Sequence, residues 1–515
     1  MTRSSTWALL VGFLIGCGAA PDANDPDDYQ NPNPADPDDP SDPTPDDPND
    51  PTPPQPDTVR VQLAPKSGIT GIQRVNFAVP LQAGKVTDAA DVRVIAGGSE
   101  LASARRILAT HADGSARSIQ LQVEVDVAIG ALDVELGAAA TMDLALVDVA
   151  STLSPADGTM GPRVWARLPA AWLAASGVTG PAVPEAELTG ALATAWDDVC
   201  DYADNNVTEF LSLQSSRDVW LYDRGTTMYR GYAQRGDQVT LESAYRETAI
   251  YRAGITGTGT STRIGVPTAE SDLKYHYTQN LAIHYLLTGD DRFREAAENV
   301  ATRVRALWGS GAYNGGFWTE RHAGFGLLAY HWASLVSDDR AGEFAGYADA
   351  TVDNYLEVQA DYDFDDPAAR CFAHSAESHG EDFGTYGCSP WMSAILADGL
   401  DAYARERSGA RAAAAREAIV ELGRSIVDGG LDNSGKPVYW QALDGSSEID
   451  DYDEHWGEPA YVVAMAWHWG GRSDAALRAA AEELIEGLAD NGSSPHLRSF
   501  NWQCRSAVVT PWYLD

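Results

Sequence analysis

Between Thr58 and about Val149 apolar and polar side chains alternate: Val59-Arg60-Val61-Gln62-Leu63, Val75-Asn76-Phe77-Ala78-Val79, Ile119-Gln120-Leu121-Gln122-Val123 and Leu132-Asp133-Val134-Glu135-Leu136. Successive strand side chains point to opposite faces, so a period of two punctuated by Gly and Asp predicts an antiparallel β sandwich over residues 58–150. A connecting segment is expected at 151–188. From 189 to 515 the period lengthens. Arg321, Phe325, Leu328, Trp332 and Leu335 share one helical face, as do Phe293, Ala296, Val300, Val304 and Leu307, and Ala415, Ile419, Leu422 and Ile426. Turns near Gly236-Asp237, Gly289-Asp290, Ser337-Asp338, Ser408-Gly409 and Gly470-Gly471 divide these helices into hairpins, each with an aromatic-rich member followed by an Ala-rich, more charged one. Aromatic-rich members such as Lys274 to Leu287 and Pro459 to Trp469 should be buried on several sides, with members such as Ala475 to Ala489 outside them. Five or six such hairpins predict an α/α toroid. A helical solenoid is the competing arrangement, but its repeats would be more even in length.

From Pro21 to Asp57 the pattern vanishes into Pro, Asp, Asn and Thr without Lys or Arg, so residues 18–57 are expected to be a disordered, extended spacer. The formal net charge is -39, and only twelve of the acids fall between Asp22 and Asp57. The folded part is therefore itself acidic, which argues against nucleic acid or an anionic lipid surface as partner. Cys200, Cys371, Cys388 and Cys504 lie within the helical part. An even number in an oxidising compartment predicts two disulfides, with Cys371–Cys388 the preferred local pair and Cys200–Cys504 left to join the ends of the helical domain.

Ahead of the spacer, Arg3 precedes an apolar run from Trp7 to Ile15, too short to span a bilayer, that ends in Leu14-Ile15-Gly16-Cys17. This ending resembles a lipobox. The resemblance implies cleavage of residues 1–17 before Cys17, lipidation of that thiol and a membrane-anchored protein of the cell envelope; a plain secretory signal is the alternative. Gly18 after the cysteine favours the outer membrane by resemblance to the sorting rule of enteric bacteria. Within the strand region, Val79-Pro80-Leu81, Gly84 and Asp113-Gly114-Ser115-Ala116-Arg117 resemble the N-terminal β domain of the exo-rhamnogalacturonan lyase family, although Asp-Gly-Ser also makes ordinary tight turns. A sandwich followed by a toroid is similar to several families of polysaccharide lyases and glycoside hydrolases. Fold alone does not choose between their reactions.

Polar aromatic residues collect at the starts of the inner helices, where a toroid would open. They form the sets Tyr229-Arg230, Tyr275-His276-Tyr277, Glu320-Arg321-His322 and Tyr452 to Glu458, with a further set from His374 to Trp391 between two cysteines. A lyase acting on a uronate must neutralise the sugar carboxylate, remove the C5 proton and protonate the departing oxygen. Arg321 and His322 are candidates for the first task, and His276, Tyr275 and Tyr386 for the other two. His374, His379 and His455 are alternatives. Tyr229, Arg230 and Glu458 are candidate substrate contacts, and Trp318, Trp391, Trp440 and Trp456 candidate platforms for sugar rings. His284 and His331, deeper in their helices, are read as core residues. A basic cleft around Arg230 and Arg321 is expected, because an acidic substrate must approach an acidic protein.

Hydrolysis would instead need two carboxyl groups, for which Asp382 with Glu458, or Glu377 with Glu454, are candidates. No cofactor is required by either reaction. Zinc would accept His374, Glu377, His379, Glu381 and Asp382, and calcium would accept Asp361, Asp363, Asp365 and Asp366, but neither spacing matches an established motif, so no metal is assigned. No Gly-rich phosphate loop or Gly-x-Ser-x-Gly elbow is present. The expected partner is thus an acidic polysaccharide, with a non-catalytic glycan-binding lipoprotein as the reading from another class.

Overall fold

The computed structural model describes Asp47 and residues 50–193, 199–308, 319–361, 370–375, 386–449, 453–494 and 497–515. Cys17, Trp318, Glu377, His379, Glu381, Asp382 and the aspartates 363, 365 and 366 lie outside the described residues.

Eight strands make two antiparallel sheets: β1 (Thr58–Pro65), β2 (Ile72–Pro80), β3 (Val92–Ala96), β4 (Ser99–Leu101), β5 (Ser103–Thr110), β6 (Ala116–Asp126), β7 (Ala131–Leu136) and β8 (Val164–Arg167). The first sheet has the order β4-β3-β7-β1-β8 and the second β2-β6-β5. Alternate residues of both, including Val59, Val61, Val94, Leu132 and Val134 in the first and Val75, Phe77, Ile119, Leu121 and Val123 in the second, join one apolar core. Strand β8 comes from the stretch expected to be a connection, and pairs with β1 from Gln62↔Arg167 to Pro65↔Val164.

Fourteen helices follow among the described residues. They are α1 (Ala170–Ser176), α2 (Val207–Leu213), α3 (Arg224–Arg235), α4 (Gln238–Ala253), α5 (Gln279–Thr288), α6 (Asp291–Trp308), α7 (Glu320–Val336), α8 (Ala341–Asp361), α9 (Pro390–Glu406), α10 (Gly409–Gly429), α11 (Gly457–Trp469), α12 (Ala475–Asn491), α13 (Leu497–Ala507) and α14 (Thr510–Leu514). Short strands interrupt them: β9 (Ile255–Thr256), β10 (Arg263–Gly265), β11 (Ala269–Glu270), β12 (His374–Ser375), β13 (Tyr386–Cys388), β14 (Val438–Ala442) and β15 (Ser447–Ile449). Helices α3, α5, α7, α9, α11 and α13 each pack on the next, and α13 returns to α3, so the inner helices form a closed circuit. Helices α4, α6, α8, α10 and α12 pack outside it. Burial follows composition. Every residue of α5 is buried, whereas α6 buries only its stripe of Phe293, Ala296, Ala297, Val300, Ala301 and Val304. Gly324 lets the backbones of α7 and α9 approach closely, since a Cβ there would lie 2.4 Å from the backbone oxygen of Ile395 in α9.

The second sheet is buried on its other face as well, against α5. That face carries amides rather than apolar groups because it meets the helix C-terminus, whose last carbonyls lack intrahelical partners. Asn76 Nδ2 donates to the Thr288 carbonyl at 2.8 Å and Ser118 Oγ to that of Leu286 at 2.5 Å. Gly289, with φ +69°, ends the helix where a Cβ would strike Gln120 at 2.3 Å. The Asp-Gly-Ser turn acts nearby. Ser115 N and Oγ donate to Asp113 Oδ1 at 2.9 and 2.6 Å, Gly84 N donates to Ser115 Oγ at 2.8 Å, and Arg117 forks onto Glu406 of α9 at 2.9 and 2.7 Å. Arg117→Ala is therefore expected to destabilise the fold by about 2 kcal/mol in urea unfolding, the scale of hydrogen bonds to charged groups. An unchanged midpoint would show that this fork does not couple sheet to helices.

Cys200 is joined to Cys504, 304 residues away, and Cys371 to Cys388, both as expected. The acidic stretch before β1 is not wholly a free spacer. Asp47 meets His468 Nε2 at 2.6 Å, Trp512 Nε1 donates to Thr52 Oγ1 at 3.0 Å, and Gln55 is buried, its backbone N and side-chain oxygen pairing with Gln82 at 3.0 Å each. Asp47 and residues 50–57 thus form a strap that meets the C-terminal end of α11, α14 and the end of β2, held by polar contacts rather than apolar burial. No helix among the described residues is long and apolar enough to cross a membrane.

Candidate functional site

The N-terminal ends of the inner helices gather at one mouth, while their C-terminal ends face the second sheet. Backbone strain marks this mouth. Four non-glycine residues among those described have positive φ, and three are here: Tyr222 (+68°) and Asp223 (+53°) before α3, and Asp453 (+56°) before α11. Such conformations cost about 1–2 kcal/mol each and persist only where surroundings impose them. Asn501 of α13 supplies part of that constraint, its Nδ2 donating to the carbonyls of Val219 and Leu221 at 3.0 and 2.9 Å. Asp223 then caps α3 and accepts from Asn280 Nδ2 at 2.7 Å.

The strained turn aims Tyr222 inward, where its oxygen accepts from Arg321 Nη1 at 2.9 Å. The guanidinium lies 5.6 Å from the centre of the Trp391 ring, within cation–π range. His455 stacks on the same tryptophan, centres 4.3 Å apart and planes 15° apart, and its Nδ1 meets Glu458 Oε1 at 3.2 Å. Trp502 of α13 closes the group, 5.2 Å from Tyr222 and 4.8 Å from His455. Arg321 and Tyr439 are its partly exposed members. Burial, reinforced by Arg498 and Arg321, holds the His455 imidazole neutral, far below its ordinary pKa. Burial also pushes the Tyr222 phenol up to about 12 against the pull of Arg321, so its proton stays in place at neutral pH.

Beside this group, His322 Nε2 meets Asp272 Oδ1 at 2.9 Å and Nδ1 meets Thr319 Oγ1 at 2.6 Å, so both ring nitrogens are engaged. Lys274 reaches the same carboxylate at 3.0 Å. Burial alone would raise Asp272, but the contacts with His322 and Lys274 outweigh it and hold the carboxyl well below its usual range. Burial takes His322 down to about 4 from 6.5 despite Asp272. His276 is fully buried, its Nδ1 donating to the Asp272 carbonyl at 2.9 Å, and Tyr275 is buried beneath Arg217, 4.8 Å from the ring centre.

A third cluster ties α7 to the strands. Glu320, completely buried, accepts from His374 Nε2 at 2.7 Å and from Ser389 N at 2.6 Å, and His374 Nδ1 meets the Ser375 carbonyl at 3.0 Å. With both nitrogens committed, His374 does not offer the ligand that the zinc reading required. Among the described residues no three His, Cys, Asp or Glu side chains gather as a metal site. Trp440 packs edge-on against His374 and is 1 % exposed, so it presents no free face to a sugar. Trp456 is buried against Gly487 of α12. Tyr386, by contrast, is 46 % exposed on β13.

Two further candidates lie away from the mouth. Tyr229 is buried with its hydroxyl 2.8 Å from His284 Nδ1. Arg230 sits inside the circuit, donating to Asp398 Oδ1 and to the Arg505 carbonyl at 2.6 Å each, so the basic cleft expected around it is not there. The cations at the mouth are instead Arg217, Lys274, Arg321 and Arg498, close enough that Arg217 and Arg321 depress Lys274 while burial does so chiefly. Tyr222, Asp272, Lys274, Tyr439, Arg498 and Trp502 were not singled out in the sequence. Tyr222 obeys the rule that found Tyr275, a polar aromatic in the turn before an inner helix; the others carry no such signal.

His322 sets a pH dependence of stability. It is neutral when folded down to about pH 4, whereas the unfolded chain binds a proton below about pH 6.5, so stability is full above 6.5 and declines as pH falls towards 4. About 1.4 kcal/mol per pKa unit gives a loss of roughly 3 kcal/mol from this residue. Melting followed from pH 7 to pH 4 should show that decline, and His322→Asn should lessen it; an equal decline in the variant would assign it elsewhere.

No known protein-family model matches the chain, and no curated protein matches it. Among solved structures it is similar to a GH78 family rhamnosidase of Bacillus sp. GL1, at 12% sequence identity and a TM-score of 0.25 over 84% of this chain and 35% of that one. The chain thus spans about a third of that protein's length.

Proposed function

We propose that the mouth cleaves an acidic, uronate-containing polysaccharide by β-elimination, in a protein whose helix circuit is an α/α toroid and whose two sheets form a β sandwich beside it. The observation that carries this reading is the cluster of Arg321, Tyr222, Trp391 and His455, which places a cation, a phenol, an indole and a neutral imidazole within contact of one another, Arg321 partly exposed and the other three buried behind it. Arg321 pairs with the uronate carboxylate and withdraws charge from C5. With Glu458 as the acceptor at Nδ1, His455 carries its proton there and offers the Nε2 lone pair as base. Nε2 removes the C5 proton, the C5–H electrons form the C4=C5 double bond, and the C4–O bond breaks. Tyr222 gives its proton to the departing oxygen; because Arg321 donates to that phenol, its own hydrogen remains available. Of the four cations at the mouth, Lys274 is paired with Asp272 and Arg498 lies near Glu454, so the partly exposed Arg321 is the group that would meet an anionic glycan. The lipobox at Cys17 would hold the enzyme at the cell envelope, probed by Cys17→Ser, which should release it from the membrane fraction.

The test is to incubate the purified protein with uronate-containing and neutral polysaccharides while following unsaturated-uronate absorbance and reducing ends together. Both signals should rise on uronate polymers. Reducing ends without absorbance would replace elimination by hydrolysis and turn attention to Glu454 and Glu458, and silence in both would favour a glycan-binding protein without turnover.

A further inference from the structure

At the opposite end of the helix circuit, a chamber of about 210 Å³ lies between the second sheet, the loop after α1, the C-terminal halves of inner helices and the strap. Its walls are fixed by ion pairs. Arg230 holds Asp398 at 2.6 Å, Arg405 holds Asp401 at 2.9 Å and Arg117 holds Glu406 at 2.7 Å. Four arginines face five carboxylates around the lining, so the chamber has no surplus positive charge for an anion. Seven lining side chains nonetheless carry buried polar atoms without a hydrogen-bond partner among the described residues, His331 Nδ1 and Trp332 Nε1 being the two that belong to neither an arginine nor a carboxylate. His331 and Trp332 are 2 % and 5 % exposed, and a buried donor left unsatisfied costs about 1–3 kcal/mol. Trp332, Trp469 and Trp512 add apolar wall, with Arg405 over Trp469 and Trp512 at 5.1 and 4.1 Å and Arg416 over Trp469 at 4.6 Å. On the strap side, Asp47 with His468 and Thr52 with Trp512 close the space.

We infer that this chamber is a second ligand site, separate from the mouth, and that it takes a neutral saccharide. Hydroxyl groups both donate and accept, which suits walls where carboxylates and guanidinium groups alternate, and the C–H faces of a sugar ring suit tryptophan. An anion would meet as many carboxylates as cations. A chamber of this size lies below the range of about 300–1,000 Å³ usual for larger small-molecule ligands, so its occupant is a single sugar ring.

Saturation-transfer NMR on the intact protein, strap included, tests this with D-glucose, D-galactose and L-rhamnose, and with glucuronate as the charged comparator. At least one neutral sugar should bind in the millimolar range. Trp469→Ala at the half-buried rim and Ala402→Trp, which fills the chamber, should each weaken that binding at least tenfold at unchanged melting temperature, while Arg321→Ala leaves it alone. Two chamber variants are needed so that failure of one to fold does not decide the matter. The inference is overturned if none of the three neutral sugars binds, if binding survives in both folded variants, if Arg321→Ala abolishes it, or if glucuronate binds more tightly than every neutral sugar.

Discussion

Replacing Arg321 by alanine is expected to lower kcat/KM on a uronate polymer by about 10³-fold, the loss typical when one preorganised partner of developing charge is removed. In the proposed elimination the carboxylate gathers negative charge as the C5 proton leaves, so the guanidinium acts more strongly on the transition state than on bound substrate, and kcat should fall more than KM rises. Stability should fall by only about 1–2 kcal/mol, because Arg321 is partly exposed and its loss removes one hydrogen bond to Tyr222 and one cation–π contact with Trp391. His455→Gln and Tyr222→Phe extend the test, because the first removes the base and the second the proton donor while keeping the volumes close. Wild-type turnover in Arg321→Ala would remove the mouth as the site of chemistry, whatever the substrate.

Asp398→Asn should produce the largest loss of stability, about 3–5 kcal/mol in urea unfolding, because it leaves two buried guanidinium groups without their counter-charge. Asp398 takes Arg230 at 2.6 Å, Arg505 at 2.7 Å and the Tyr461 hydroxyl at 2.9 Å. Burial by itself would raise this carboxyl, yet the two arginines outweigh it and hold it at about 2. The contribution is therefore present throughout the neutral range and is lost only as pH falls towards 2. Tyr461→Phe, which removes one uncharged donor from the same carboxylate, should cost about 2 kcal/mol and serves as the graded comparison. Equal effects from both substitutions would mean that the pairing of charge does not dominate.

The elements were legible where one physical term dominated. Alternation at Val59–Leu63 and at Ile119–Val123 marks strands, the Phe293 to Val304 stripe marks an outer helix, and the spacing of the cysteines suggested both pairs that form. Residues whose role depends on what arrives from far along the chain were not. Gln120 and Gln122 read as the wet face of a strand, whereas they are buried beside α5, because local sequence does not show which surface will meet a helix end. Arg230 read as a cleft residue because an arginine beside a tyrosine at a helix start is usually solvated; Asp398 and Arg505, 168 and 275 residues further on, bring it inside. Tyr222 owes its direction to positive backbone angles that its own neighbours do not announce. The strap escaped notice for a related reason, since its composition predicts disorder while a few polar contacts suffice to dock it.

The helix circuit closes only where α13 meets α3, and the bond from Cys200 to Cys504 spans 304 residues to fasten that seam. The ring therefore carries a clasp: its other neighbours are close along the chain, whereas this junction joins parts that connectivity alone would leave free to separate, so the covalent bond acts where the ring would otherwise open first.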